Sequence, residues 1–88
     1  MYIFSANVVE RCQEFARTDD KKVAANSIME VTQVSSFNAC MMKCQYTAQC
    51  VVAAVEKAVV WGQRSGTCIL GSEPVTFEND AAFVLYTF

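Results

Sequence analysis

Three of the five cysteines in this 88-residue chain fall within "FNACMMKCQYTAQC", Phe37 to Cys50, at spacings C-x3-C-x5-C. A fourth, Cys68, follows in "GTCILG", and Cys12 stands alone near the start. Thiols at such density can bind a metal, act as nucleophiles or pair as disulfides. The chain has no His, which removes the Cys-His dyad of thiol enzymes and the commonest nitrogen ligand of zinc. An all-cysteine zinc site usually shows two C-x2-C knuckles, and none is present. Disulfides in an oxidising compartment are therefore expected, with no catalytic residue, metal or cofactor.

Composition narrows the class further. Eighty-eight residues suffice for one domain, so residues 1–88 are read as a single unit. The formal net charge of −2 argues against nucleic acid as a partner, because such binding rests on phosphate neutralisation by a basic face. A hydrophobic fraction of 53% is too high for a disordered chain. No run of eighteen apolar residues offers a membrane span, so membrane insertion is not expected. The opening "MYIFSANVVERC" has neither the basic region nor the apolar core of a signal peptide. A secreted or extracellular protein would therefore carry this chain as a mature or excised domain.

The elements that must position the cysteines follow from periodicity. "YIFSANVVE" is rich in β-branched and aromatic residues and reads as a strand over Tyr2 to about Glu10. "FARTDDKK" reads as a charged turn, with Asp19 and Asp20 beside Lys21 and Lys22 and no third acid to make a calcium site. "IMEVTQV" alternates without a clean apolar side and is expected to be a strand. Ser35 or Ser36 then offers a helix cap. At about 100° per residue, Phe37, Cys40, Met41 and Cys44 share one narrow arc, which marks a short buried helix with Met42 at its boundary. Beyond Cys50, "VVAAVEKAVVW" and "TCILG" flank the turn-prone "GQRSG" and predict an antiparallel pair. Gly62 and Gly66 supply freedom for the reversal, and Gly71 to Pro74 form a second turn. The near-continuous apolar "AAFVLYTF" predicts a central last strand. The expected fold class is α+β, one short helix on a mainly antiparallel, disulfide-stapled sheet.

Helix geometry bears on the pairing. Residues four apart on a helix have Cβ atoms about 5–6 Å apart, whereas a disulfide wants about 3.5–4.5 Å. Cys40 and Cys44 should therefore reach off the helix: Cys44 toward Cys50 just beyond its end, Cys40 toward the strand carrying Cys68.

The pattern S-x-F-x-x-C-x3-C-x5-C-V, followed by C-I-L after a hairpin, resembles the PAN/apple domain family over about Cys12 to Phe88. The resemblance implies the pairs Cys40–Cys68 and Cys44–Cys50. Many apple domains place an additional first cysteine where Cys12 stands and pair it with one near the domain end, which this chain lacks. The family also implies a non-enzymatic extracellular module for adhesion or recognition, with a protein or carbohydrate ligand.

An alternative is a structural or self-assembling module of a matrix, coat or surface layer, crosslinked as a homodimer through Cys12, an unpaired or intermolecular thiol beside Arg11. An enzyme with Cys12 as nucleophile would need a base, and none is evident near it. For a ligand, the candidate residues are Trp61, Arg64 and Lys57 in "EKAVVWGQRSG", because Trp and Arg are favoured interface anchors. Tyr46 and Lys43 near the helix end are a second candidate. The plain counter-reading makes Trp61 a core residue of the hairpin and the others ordinary solvated side chains.

Overall fold

The computed structural model describes residues 16–88. The expected strand Tyr2–Glu10 and the single cysteine Cys12 lie outside them.

Strand β1 (Ala16–Val23) leads through a 3-10 turn (Ala25–Ser27) into β2 (Ile28–Val34) and helix α1 (Phe37–Tyr46). Strand β3 (Val52–Glu56), the one-turn helix α2 (Lys57–Val60), β4 (Gly66–Gly71) and β5 (Phe77–Thr87) follow. The five strands form one antiparallel sheet in the order β1-β5-β3-β4-β2, so the architecture is α+β as expected. The last strand is interior, flanked by β1 and β3, in keeping with its apolar "FVLY".

Helix α1 begins where Ser36 Oγ accepts the N–H of Ala39 at 3.1 Å, the cap that Ser/Thr side chains supply to an otherwise orphaned donor. Its buried residues are Cys40, Met41 and Cys44, and Phe37 packs against the same core, its ring 4.9 Å from that of Tyr86. These are the residues of the predicted arc. They close over Val34, Ala53, Val55, Cys68, Leu70 and Val84 on one face of the sheet.

The opposite face has its own core, Val23, Val52, Ala54, Ile69 and Leu85, with Val75 and Phe83 against it. Topology explains the presence of Val23 there. Among the described residues β1 and β2 occupy opposite edges, so the chain between them crosses the sheet, and it does so on the face away from α1. Buried Ser27 holds this crossing: its Oγ accepts the N–H of Thr76 at 2.8 Å and lies 2.8 Å from the Pro74 carbonyl. The backbone of the crossing is tied down too, with Ala24 N–H donating to the Thr76 carbonyl at 2.9 Å and Ser72 N–H to the Ser27 carbonyl at 3.2 Å.

Two expectations need correction. "FARTDDKK" is no turn; its residues from Ala16 onward belong to the edge strand β1, which runs to Val23. Their charges signal an edge exposed to water rather than a reversal, the usual protection of a free edge. The irregularity lies between Asp19 and Lys21, where Asp20 takes φ 64° and the register steps from Val84 to Asn79, so the extra residues of the bulge belong to β5. The run "KAVV" is likewise no strand. Pairing of β3 with β4 ends at Val55↔Cys68, leaving the backbone beyond Glu56 without a ladder on that side. One helical turn satisfies it instead, with Trp61 N–H donating to the Lys57 carbonyl at 2.9 Å.

Candidate functional site

The framework of the site is the pair of disulfides. Cys40 joins Cys68 and Cys44 joins Cys50, with Cα separations of 5.7 and 5.3 Å. Cys40, Cys44 and Cys68 are fully or almost fully buried. The first bridge pins the middle of α1 to β4, and the second ties the helix end to the chain entering β3. They are structural sulfurs, inert while buried. Such bridges fit an oxidising, extracellular-type environment. Among the described residues no cluster of metal-ligating side chains occurs and no helix is long and apolar enough to cross a membrane.

The candidate ligand residues separate into two groups. Along α1 the chain travels from the Gly66 end of β4, where Cys40 bonds Cys68, toward the Gly71 end, where Cys44 Sγ lies 3.7 Å from the carbonyl of Val52. Tyr46 therefore stands at the Gly71 end and is 80% exposed. Lys43 is ion-paired to Glu30 of β2 at 3.0 Å. An open cleft at this end is lined by Gln49, Val51, Ser72 and Glu73. Trp61, Lys57 and Arg64 lie at the Gly66 end, in the connection from β3 to β4. The structure does not bring the two groups together.

The β3–β4 connection is organised by Glu56. One carboxylate oxygen accepts the backbone N–H of Thr67 at 2.6 Å, and the other lies 3.3 Å from Arg64 Nη2. The Thr67 N–H foremost, and Arg64 with it, hold the Glu56 carboxyl below its ordinary pKa against the opposing effect of burial. Arg64 Nη1 also donates to the Ser65 carbonyl at 2.8 Å. Lys57 is ion-paired to Asp20 of β1, which ties α2 to the edge strand. Gln63 N–H donates to the Ala58 carbonyl at 2.8 Å, and Gly62 takes φ 73°, a conformation that glycine adopts without strain. Val59 anchors the turn in the core at 2% exposure.

Trp61 caps this turn and is 62% exposed, which overturns the reading of it as a core residue. The reason is local. The helical turn places Val59 inward, and Trp61, two residues on, faces outward. Among the described residues its indole N–H has no partner. Sequence reasoning named Trp61, Arg64 and Lys57 but missed Glu56, which pairs with Arg64 and accepts the Thr67 N–H; its position at the end of an apolar run was the available signal.

Elsewhere, Asp80 accepts the Ala82 N–H at 3.0 Å and pairs with Lys22 at 3.1 Å, and these lower its pKa in that order. Burial raises the pKa of the Tyr86 phenol.

No protein-family model, curated protein or solved structure matches this chain. The fold and the turn thus define a disulfide-stapled α+β module that presents a braced, exposed tryptophan.

Proposed function

We propose that the chain is a non-catalytic extracellular recognition module of the PAN/apple type, binding a protein or carbohydrate ligand through the turn of Trp61 and Arg64. The observation that carries this reading is the exposure of Trp61 on a turn braced by Glu56, Lys57 and Val59. Large aromatic side chains are usually buried, and those left out on rigid supports are the anchors of interfaces and of sugar stacking. Glu56, Lys57 and Val59 fix the turn before any ligand arrives, which reduces the ordering cost of binding.

The charge of the turn indicates the class of ligand. Lys57 is matched by Asp20, and Arg64 by Glu56. The surface therefore carries little net cationic field, and it suits a protein surface or a neutral sugar ring better than a polyanion. The absence of His and the commitment of Cys40, Cys44, Cys50 and Cys68 to disulfides support a binding role over catalysis.

The test is a binding screen of the disulfide-bonded protein against immobilised glycans and extracellular proteins, repeated with Trp61→Ala. Loss of a hit by about tenfold or more, the scale of a hot-spot truncation, is expected with near-UV circular dichroism otherwise native. A hit that binds the variant equally well would show that the ligand sits elsewhere.

A further inference from the structure

The two edges of the sheet are protected very differently. β1 carries Arg17, Asp19, Asp20, Lys21 and Lys22, and its register with β5 is broken by a bulge opposite Asp20. Charge and bulge are the usual devices that prevent an edge from pairing with another chain. β2 is the opposite edge and has a neighbour, β4, on one side only among the described residues. Its bulge lies at its beginning, between Ile28 and Glu30, and from Glu30 to Val34 it runs in unbroken register with Leu70 to Gly66. That regular run holds one charged residue, Glu30, already paired with Lys43 of α1. Val31 is 55% exposed.

We infer that β2 is a self-association edge, which pairs antiparallel with β2 of a second copy about a two-fold axis at Thr32. The run is self-complementary in this register. Thr32 faces its own copy, a favourable cross-strand pair, and Val31 faces Gln33 on both sides of the axis. The two Glu30 side chains fall at opposite ends of the paired segment, each across from the other copy's Val34, so no like charges meet. Pairing about Glu30 would set carboxylate against carboxylate.

Val31 and Gln33 lie on the sheet face away from α1. Val31 is in register with Ile69 of that face's core, and Gln33 donates to Thr67 Oγ1 at 3.0 Å. The new contact therefore extends an existing surface. Backbone groups of β2 that point away from β4 gain ladder partners, the same physics by which edges accept added strands. A single short strand pair buries little area, so the dimer is weak and depends on concentration. This inference is independent of the ligand reading at Trp61, which lies in the β3–β4 connection.

The test is analytical ultracentrifugation from about 1 µM to about 1 mM, a span that brackets weak association. A Cys12→Ser background removes any covalent dimer. The parent protein should show a reversible monomer–dimer equilibrium. Val31→Lys with Gln33→Lys sets lysine against lysine at both cross-strand pairs and should raise the dissociation constant at least about tenfold. Val31→Lys with Gln33→Glu sets lysine against glutamate in the same register and should restore or strengthen the dimer. Near-UV circular dichroism checks the fold of each. A parent that stays monomeric throughout overturns the inference, as does a dimer indifferent to the lysine pair or one lost in the lysine–glutamate variant. The last arm stands even if the double-lysine variant fails to fold.

Discussion

Glu56 occupies the space that a side chain at position 66 would need. A Cβ on Gly66 would lie 2.5 Å from Glu56 Oε1 and 2.8 Å from Val59 Cγ2. The glycine is required for this close approach and not for a left-handed backbone, since Gly62 is the glycine with positive φ. It lets the Glu56 carboxylate reach the Thr67 N–H and so sets the turn that holds Trp61 outward.

Gly66→Ala should therefore destabilise the protein by about 1–3 kcal/mol, the usual cost of overpacking a filled site. Chemical denaturation measures this, and tryptophan fluorescence should shift at the same time because the turn must move. A variant as stable as the parent would mean that the Glu56 and Val59 side chains yield freely.

Acid should unfold the protein partly through Glu56 and Asp80. Both carboxyls have folded pKa values below their ordinary range, Glu56 chiefly through the Thr67 N–H and Asp80 chiefly through the Ala82 N–H. A depressed carboxyl contributes stability that is present above its unfolded pKa and lost as pH falls through its folded one. The stability lost between those two values should shrink in Glu56→Gln, which cannot titrate. Urea midpoints measured from neutral pH downward test this, and parallel curves for parent and variant would count against it.

The two bridges should differ in weight. On loop length alone, Cys40–Cys68 contributes about 3.6 kcal/mol and the shorter Cys44–Cys50 loop about 2.4 kcal/mol. Replacing Cys40 and Cys68 by Ala should cost more than the same change at Cys44 and Cys50, since it also removes the tie between helix and sheet. With these four paired, arithmetic leaves Cys12 as the remaining thiol. Non-reducing peptide mapping should recover both bridges, and thiol labelling of the native protein should modify Cys12 alone. Labelling of any of the other four would contradict the pairing.

Much of this fold was legible before any coordinates. The arc of Phe37, Cys40, Met41 and Cys44, a serine cap at Ser35 or Ser36, and the reach of Cys44 to Cys50 and Cys40 to Cys68 depend on helix geometry. The helix, its cap and the Cys44–Cys50 loop follow rules that act within a few residues, while Cys40–Cys68 spans 28 residues and was legible only because Cys40 had to reach off the helix. The apolar last strand was also readable as interior, because burial on both faces demands apolar residues at successive positions.

Other features arise only from partners distant in the chain. The charged run that ends at Lys22 looks like a turn until β5 is beside it, because a charged edge strand and a charged loop share one composition. "KAVV" has the β-branched residues of a strand, yet it coils because β4 gives it no ladder. Trp61 is apolar enough for a core and stands in water because Val59 already fills the inward position beneath the turn. Whether β2 is an edge is a property of strand order, which no residue of β2 encodes alone. Local geometry set the helix and the short Cys44–Cys50 bridge; long-range pairing decided which surfaces remained open to a partner, because exposure is what remains after every strand has found its neighbours.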